Sequence, residues 1–449
     1  MDGVCPVNAR RRGPPPSEQD RYGTLALGGV IALTLSCRGN LLMLWAVKVS
    51  FLAGALLVLQ SVWAFVDCFR FLGLIRRRQN GPRGNYVPTA AVVIPCKGWD
   101  TGFDANLDGF LNQDYPDYRV VFVVATPGDL AYQKLKARLE MPVAAGAHRQ
   151  PQTSLVVAGF SDSRGEKVNN LLRGIEVVDQ AAKVLVFADI DASPSPDWLR
   201  PLVAPLADPQ NTVSTGFRWY LPGEGFVSRL RAAWDTSIAT MMGDHDHNFA
   251  WGGSMAIRAA DFRALGIAER YWANTVSDDY GLTRAVREAG GKIVFQPRCL
   301  VASREESSLR EFLRWSTRQM IITRVYAAHL WKLGLATYLF YGGTLMLGLV
   351  ALALPGATAH QRVAIAVTLF VILLLGAGKG YLRSRIARQL FPTEIGCRAS
   401  CYWQLSPLIP WIMLWNFIAA GFTRRIVWRG TEYELVSRDK VRVARRSGS

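Results

Sequence analysis

Two short acidic clusters, far apart in the chain, carry the residue types best suited to chemistry. The first is Asp189-Ile190-Asp191, directly after the apolar run 184–187, and the second is Asp278-Asp279. Carboxylates spaced D-x-D at the tip of a buried strand offer oxygen ligands to a divalent cation that grips a diphosphate. A further carboxylate could take a proton from an attacking hydroxyl. Together the clusters indicate sugar transfer from a nucleotide diphosphate, although either one alone could be a turn or a helix cap.

The elements around these clusters have the pattern of an α/β domain. Strand-like apolar runs alternate with helical stretches, and consecutive crossovers between them would build a mostly parallel sheet. The runs are 90–95, 119–124, 154–158, 184–187 and 212–217, and the helical stretches include 131–139 and 167–178. Ligands of such sheets bind beyond the carboxyl ends of the strands, which is where the first acidic cluster falls.

Further candidates for donor binding lie at the ends of these elements. They are Pro95, Lys97, Gly98, Lys167, Asn169 and Asn170. The first three end a strand in a sharp turn that would bring backbone and a lysine to phosphate. The other three open a helix. A solvated turn lysine and simple helix capping would produce the same patterns, so both explanations stay open.

A polar loop holds His245 and His247 between carboxylates and precedes Trp251, Gly252 and Gly253. Imidazole and carboxylate at this spacing could bind Zn²⁺, contact substrate, or belong to a structural loop. The two glycines would let backbone pass close to a sugar or an acceptor.

Composition places the chain in a membrane. Half of its 449 residues are hydrophobic, 14 are Trp, and 52 Lys and Arg exceed 35 Asp and Glu to give a net charge of +17. The arginine clusters flank apolar runs, as they do on the cytoplasmic side of a bilayer, and do not alternate with aromatic residues as in a nucleic-acid site. The 7 cysteines are scattered without a C-x-x-C pair, which indicates reduced packing residues.

The segments follow from these patterns. We expect a disordered basic, Pro-rich N-terminus (1–22), an N-terminal membrane segment with one span and a shorter second candidate (23–78), a cytoplasmic catalytic domain (84–305), amphipathic interfacial helices (306–334), a transmembrane hairpin (335–382), an interfacial or re-entrant segment (383–435) and a basic tail (436–449). Met43 could be the natural start. A full crossing by residues 402–422 would place the following arginines outside, against the positive-inside rule.

The ordered motifs over residues 92–435 resemble those of membrane-bound family 2 glycosyltransferases, especially ceramide glucosyltransferase and bacterial lipid-glycosylating relatives. They are Ile94-Pro95-Cys96-Lys97-Gly98-Trp99-Asp100, Gln113-Asp114-Tyr115-Pro116, Gly165-Glu166-Lys167-Val168-Asn169-Asn170-Leu171, the D-x-D, Trp251-Gly252-Gly253-Ser254-Met255, Ser277-Asp278-Asp279-Tyr280, Arg314-Trp315 and Trp428-Arg429-Gly430. The resemblance implies a GT-A-type nucleotide-sugar-binding domain with a mostly parallel sheet, flanked by N- and C-terminal transmembrane helices.

The resemblance also assigns roles. Asp189 and Asp191 would hold Mg²⁺ or Mn²⁺ on the donor diphosphate, and the K-x-N-N block would line the donor site. Asp279 would be the catalytic base of an inverting displacement, with Asp278 orienting the loop or the acceptor. Relatives carry a histidine near positions 245 and 247, close to donor or acceptor.

Two departures from the family pattern bear on specificity. Arg314-Trp315 match the end of a (Q/R)-x-x-R-W motif, in which the arginine meets diphosphate and the tryptophan walls the acceptor channel, but the first position is Glu311. Processive relatives use Gln there, so a polymer synthase is disfavoured. The acidic residue expected after the second strand is displaced to Asp129, which leaves the identity of the nucleotide open.

The leading hypothesis is transfer of a hexose from a UDP-sugar to a membrane lipid at the cytoplasmic face. Ceramide, diacylglycerol, a hopanoid and a polyprenyl phosphate all remain open as acceptors. The alternatives are a processive polysaccharide synthase and a non-catalytic nucleotide-sugar-binding membrane protein, which the intact carboxylates disfavour.

Overall fold

The computed structural model of the protein describes residues 18–79, 81, 84–100, 102–141, 151–178, 180–353 and 357–446. The helices are α1 (Glu18–Gln79), α2 (Phe103–Leu111), α3 (Leu130–Leu139), α4 (Glu166–Glu176), α5 (Leu199–Val203), α6 (Phe226–Ala239), α7 (Ala259–Ala264), α8 (Asp278–Glu288), α9 (Leu309–Tyr326), α10 (Ala328–Ala353), α11 (Ala359–Leu390), α12 (Pro392–Ile395), α13 (Cys401–Gln404) and α14 (Ile409–Gly421). The strands are β1 (Ala90–Pro95), β2 (Tyr118–Val124), β3 (Gln152–Val157), β4 (Val184–Ala188), β5 (Asn211–Tyr220), β6 (Ser254–Arg258), β7 (Lys292–Ser303), β8 (Arg425–Trp428), β9 (Thr431–Ser437) and β10 (Lys440–Arg446).

The chain divides into two compact units. One comprises Met1–Leu57 and Gly343–Phe370, and the other comprises Val58–Gly342 and Val371–Ser449. In the first unit, a Cβ added at Gly54 would lie 2.7 Å from Thr368 Cγ2, so helices approach closely where the side chain is absent. Small residues at such contacts are typical of helices that pack within a membrane.

The second unit contains a seven-stranded sheet in the order β3-β2-β1-β4-β6-β5-β7. Every pairing is parallel except those of β6, which runs antiparallel to β4 and β5. The predicted α/β fold with a mostly parallel sheet is thus confirmed. Strands β1 and β4 are continuous apolar runs because helices cover both faces of the sheet. The strands β6 and β7 lie outside the predicted set, and β5 extends to Tyr220 rather than ending at residue 217.

Helices on the two faces of this sheet enclose separate cores. Apolar residues of α2 and α5, such as Phe110 and Leu202, pack on one face. Apolar residues of α4 and α8, such as Leu171 and Val286, pack on the other. Cys68, Cys96, Cys299, Cys397 and Cys401 are free thiols, and all of these except Cys397 are buried, as expected of packing residues. The layers hold the strand ends in fixed positions, which a catalytic site requires.

The order of the strands determines which loops meet. The chain leaves β1 toward β2 on one side and enters β4 on the other, so the crevice between their carboxyl ends is a topological switch point. The turn at Lys97 follows β1, and Asp189 follows β4. Because β6 is antiparallel, its first residue, Ser254, pairs with Ala188 at the end of β4. Trp251 and its two following glycines therefore reach the same edge.

Three helices in the described residues are long and apolar enough to cross a membrane: Val47–Gln79, Ala328–Ala353 and Ala359–Leu390. The first is part of a single helix that begins at Glu18, so residues 18–22 of the predicted disordered terminus are helical, and residues 1–17 lie outside the described residues. The boundary predicted between the interfacial helices and the transmembrane hairpin also differs from the observed one. The amphipathic helix α9 ends at Tyr326, and α10 already begins at Ala328, inside the segment expected to be interfacial.

The C-terminal prediction of a basic tail over 436–449 is wrong for its described part. Strands β8, β9 and β10 form an antiparallel three-stranded sheet. Tyr433, Leu435 and Val441 are buried. The half-buried Glu432 and Glu434 alternate with them on β9, and the exposed Lys440 and Arg442 do so on β10. The alternating charges made the stretch look like a tail, although a period of two is typical of a half-buried strand. Strands β8 and β9 also replace the last part of the predicted re-entrant segment.

Candidate active site

The D-x-D carboxylates converge on one arginine. Arg218 extends from β5 and donates from Nη2 to Asp191 Oδ1 at 2.6 Å and to Asp189 Oδ2 at 3.3 Å. Burial opposes ionisation of Asp191, but the positive charges of Arg218, Arg429 and Lys167 together outweigh burial and lower the pKa of that carboxyl. One oxygen of each carboxylate could therefore bind the same cation at this position.

Lys167 joins the two acidic clusters. Its Nζ lies 2.8 Å from Asp189 Oδ1 and 3.1 Å from Asp278 Oδ2. The lysine stands at the start of α4, and Asp278 is the first residue of α8, which Ser277 caps by accepting from the Tyr280 amide. Burial disfavours the charge on Lys167, but Asp189 and Asp278 outweigh it and raise its pKa. The predicted metal carboxylates and the predicted base region thus form one site.

Asp278 and Asp279 occupy different environments. Asp278 is buried, and burial raises its pKa to about 6 against the opposing charge of Lys167. Asp279 is half-buried and lines the large cavity described below. Its Oδ1 accepts from the Ser277 hydroxyl and from the Tyr280 amide at 2.8 Å, and no described residue hydrogen-bonds to its Oδ2.

Gly252 lies against the lysine bridge. A Cβ at this position would stand 2.0 Å from Asp278 Oδ2 and 2.7 Å from Lys167 Nζ, so only glycine fits. The neighbouring Trp251 ring lies 5.2 Å from the Arg218 guanidinium, a cation–π contact. At Gly253, an added Cβ would meet the ring of Trp251. The segment predicted to contact the acceptor therefore forms one wall of the carboxylate site.

Residues of the turn after β1 bind other side chains of the protein. Pro95 ends the strand, and Lys97 Nζ forms an ion pair with Glu166 Oε2 at 2.7 Å. Asp129 Oδ1 accepts from the Gly98 amide and from the Ala131 amide, both at 2.8 Å, so it fastens this turn and caps α3. These contacts give Lys97 and Asp129 bracing roles in this structure.

The two asparagines after Lys167 brace neighbouring loops. Asn169 Nδ2 donates to the Gly159 carbonyl at 3.0 Å, and Asn170 Nδ2 donates to the Val123 carbonyl at 3.4 Å. Asn170 Oδ1 is buried with no hydrogen-bond partner among the described residues. Asn170 also lines a cleft together with Lys97 and the D-x-D.

Arg314 and Trp315 lie in different environments in the structure. Arg314 is exposed and lines the large cavity, and it forms no ion pair with the described carboxylates. Trp315 packs edge-on against Tyr220 and Trp234, with centroids 5.5 and 5.2 Å away. The buried Arg231 guanidinium stands 4.7 Å from the Trp315 ring and pairs with Glu305.

His245 and His247 lie on an exposed loop. The His247 amide donates to His245 Nδ1 at 3.2 Å, and the buried Asn248 side chain ties the loop to the Gly243 carbonyl at 2.8 Å. The part of the chain that the structure describes holds no cluster of three or more metal-ligating side chains. The structural-loop explanation therefore fits these contacts, while both histidines still line the cavity.

A cavity of about 2950 Å³ opens from the carboxylate site. Its wall includes Asp189, Asp191, Asp278 and Asp279 and also residues of α10 and α11. The residues of these two helices are mostly apolar, such as Tyr338, Ile372, Leu373 and Gly376, with Lys379 and Arg383 among them. The carboxylates and a mostly apolar surface thus line one space.

The prediction of site residues missed most of the arginines in this wall. Among them are Arg218, Arg231, Arg318 and Arg429. Arg218 carries a signal in the sequence, because it interrupts an apolar strand whose neighbours Phe217 and Trp219 are buried. A charged side chain in such a strand is rarely tolerated without a partner. The sequence does not show which carboxylate is the partner of Arg218, because that depends on how distant segments meet in the fold.

The donor set suits a divalent cation that keeps several non-protein ligands. Asp189 and Asp191 aim oxygens at one point. Mg²⁺ and Mn²⁺ prefer oxygen ligands, commonly one or two carboxylates plus phosphates and water. A bound cation would have to displace the Arg218 guanidinium from these oxygens.

A family model for glycosyl transferase family 21 matches residues 43–441. Among solved structures, a mannosyltransferase from Pyrobaculum calidifontis in complex with GDP-Man and Mn²⁺ aligns at 15% identity, covering 82% of this chain and 97% of its own, with a TM-score of 0.40. Glucosyl-3-phosphoglycerate synthase from Mycobacterium tuberculosis, in complex with phosphoglyceric acid, aligns at 16% identity, covering 56% of this chain and 82% of its own, with a TM-score of 0.35. These structural likenesses are too distant to transfer a ligand to this chain.

Substituting Gly252→Ala tests the tight packing at the lysine bridge. The new methyl group would collide with Asp278, so we expect the free energy of unfolding to fall by roughly 1–3 kcal/mol, as for other overpacked sites. Gly128→Ala is the matched control, because its Cβ would meet only Thr126 Oγ1 at 3.7 Å. Chemical denaturation in detergent would compare the two. Equal stability of both variants would contradict tight packing at residue 252.

Asp235 makes stability depend on pH. This carboxyl on α6 is buried, its Oδ2 lacks a hydrogen-bond partner among the described residues, and burial raises its pKa to about 7 despite the charge of Arg218. The folded state therefore binds a proton that the unfolded state releases above about pH 4, so the free energy of unfolding falls as pH rises from about 4 to 7. Asp235→Asn should flatten this slope. Denaturation series across that range measure it, and parallel wild-type and variant profiles would refute the assignment.

Proposed function

The chain belongs to glycosyl transferase family 21, as its ordered motifs indicated, and on that premise we propose that it is an inverting, metal-dependent enzyme that transfers a hexose from a UDP-sugar to a membrane lipid. The observation that carries this proposal is the Lys167 bridge between Asp189 and Asp278, on the wall of a cavity that reaches apolar helices. It brings a diphosphate-binding carboxylate pair and a candidate base to one place, beside a path suited to a lipid.

Donor binding falls to the D-x-D and the groups around it. Asp189 and Asp191 would hold Mg²⁺ or Mn²⁺, and such an ion neutralises the charge that develops on a leaving diphosphate. Lys167 holds Asp189 in place from the other side. Asn170 lines the adjoining cleft and would contact the donor there.

Asp279 is our choice for the base. Its Oδ1 is held by Ser277 and Tyr280, so its Oδ2 can receive the proton of an acceptor hydroxyl. The hydroxyl oxygen then forms a bond to the anomeric carbon as the bond to the diphosphate oxygen breaks, which inverts the configuration in one step. Asp278 is buried on Lys167, and it positions the start of α8 rather than facing the acceptor.

The lipid acceptor and the cytoplasmic orientation rest on the helices. The cavity wall changes from carboxylates to apolar residues of α10 and α11, so a lipid hydroxyl could reach Asp279 while its chains stay in apolar surroundings. Arg76, Arg77 and Arg78 close α1 directly before the catalytic domain. Such clusters favour the cytoplasmic side, which would place the site there.

Asp279→Asn should reduce transfer by about 10²–10⁴-fold, since that is the usual contribution of a general base. Binding of UDP-sugar with Mn²⁺ should stay within about threefold, because the metal carboxylates remain. The assay uses purified protein in lipid nanodiscs with a panel of labelled UDP-sugars and lipids. Asp108→Asn, an exposed residue paired with Arg138, is the control.

The same assay separates the competing functions. A discrete glycolipid that disappears in the Asp279→Asn variant supports the proposal. A growing polymer would indicate a processive synthase instead. Nucleotide-sugar binding without turnover on any lipid of the panel would favour a binding protein.

Asp191→Asn tests the metal site. Loss of one of two carboxylates should weaken UDP binding in Mn²⁺ or Mg²⁺ by roughly tenfold or more, which is at least about 1.4 kcal/mol. In EDTA the variant should bind UDP no more weakly than the wild type, because its missing ligand no longer matters. Calorimetric titration in both buffers measures this difference. Full transfer activity of the wild type in EDTA would rule out the metal.

A further inference from the structure

The turn between β8 and β9 carries an arginine in a conformation that favours glycine. Arg429 has φ 43° and Gly430 has φ 81°, and Arg429 is the one non-glycine residue with positive φ in the described part of the chain. Two-residue hairpin turns of this kind usually take Asn-Gly, because a larger side chain strains the first position. Such strain persists where the surroundings impose it, and it concentrates at ligand-binding sites.

This strained position points Arg429 into the donor region. Its Nη1 donates to the Lys97 carbonyl and its Nη2 to Asp100 Oδ2, both at 2.8 Å. The same Nη2 lies 3.7 Å from Asp191 Oδ2. Arg429, Lys97 and Asp191 line one cleft, so the guanidinium stands between the turn after β1 and the D-x-D.

A second arginine stands beside this turn. Arg318 Nη1 donates to the Val427 carbonyl at 3.2 Å, and its guanidinium lies 5.2 Å from the Trp428 ring. It forms no ion pair with a carboxylate of the described residues. Burial, with a contribution from Arg429, lowers the pKa of Arg318 to about 10. Positive charge at this side of the cleft therefore exceeds what nearby carboxylates balance.

The hairpin is fixed against the catalytic domain. The Tyr433 hydroxyl on β9 accepts from the Glu166 amide at the start of α4, at 3.1 Å. Arg446 on β10 donates to the Ser161 carbonyl at 2.7 Å. The sheet can therefore hold Arg429 in place while the arginine side chain changes partners.

We propose that Arg429 is a diphosphate-binding residue that exchanges carboxylate for phosphate. In this structure it pairs with Asp100 and approaches Asp191. When a nucleoside diphosphate binds, the guanidinium moves to the phosphate oxygens, whose geometry its forked donors match, and Asp191 is released for the metal. Arg318 adds positive charge on the same side. The inference rests on the proposed function, since it presumes a nucleoside diphosphate donor.

The proposed exchange predicts that removal of the Arg429 guanidinium changes the affinities for Mn²⁺ and for the diphosphate in opposite directions. Arg429 and a divalent cation compete for Asp191, so removing the guanidinium should strengthen Mn²⁺ binding to the nucleotide-free protein. The same change should weaken binding of the diphosphate, because one of its ligands is lost. A residue with only a structural role would weaken both.

The test compares Arg429→Ala and Arg429→Lys with Arg442→Ala, a control on the exposed face of the same sheet that removes only a pair with Glu434. Calorimetry on nanodisc-embedded protein measures UDP and UMP affinity, and electron paramagnetic resonance of free Mn²⁺ measures metal affinity without nucleotide. For Arg429→Ala we expect the UDP Kd to rise roughly tenfold or more, the UMP Kd to change less than about twofold, and the Mn²⁺ Kd to fall several-fold. The Kd values of Arg429→Lys should lie between those of the wild type and Arg429→Ala, and those of Arg442→Ala should match the wild type.

Other outcomes overturn the proposal. Equal UDP affinity in the wild type and Arg429→Ala removes this inference alone and leaves the proposed transfer intact. Weaker binding of both UDP and Mn²⁺ indicates a structural role and also overturns it. Failure of the wild-type protein to bind either UDP or GDP overturns the proposed donor, and this inference with it.

Discussion

The ion-paired Lys167 is the contact on which the site depends. It links Asp189 at the end of one strand to Asp278 at the start of a helix more distant in the chain. Without it, the buried Asp278 carboxylate would lose its ion pair, and an unpaired buried charge costs about 3–5 kcal/mol. Gly252 contributes by leaving the room that this bridge needs. One lysine therefore holds the D-x-D and the start of α8 together.

Arginines complete the charge balance of the carboxylates. Arg218 neutralises the D-x-D from β5, and Arg429 approaches it from the C-terminal sheet. Both would compete with a divalent cation at the proposed metal site. Asp189, Asp191 and Asp278 are all ion-paired in this structure, so binding of a donor and a metal ion would redistribute these pairs.

The fold connects this polar centre to apolar surroundings. Antiparallel β6 brings Trp251 and Gly252 to the strand ends, and α9 adds Trp315 beside the buried Arg231. From there the cavity continues to α10 and α11, two of the helices that are long and apolar enough to cross a membrane. This continuity is the physical basis of the proposed lipid acceptor, because a lipid hydroxyl could reach a carboxylate while its chain avoids water.

Sequence by itself determined the parts that local pattern controls: the buried strands, the acidic residues at their ends and the apolar helices, because period and composition are properties of neighbouring residues. It also indicated the family through ordered motifs. Only the tertiary structure decided which side chains pair with one another. Lys97 pairs with Glu166 rather than standing free for phosphate, and Arg429 reaches the Lys97 carbonyl across 332 positions of the chain. The basic C-terminus became a sheet because its apolar alternate residues found a core. Such contacts arise from the meeting of distant segments, which no local pattern encodes.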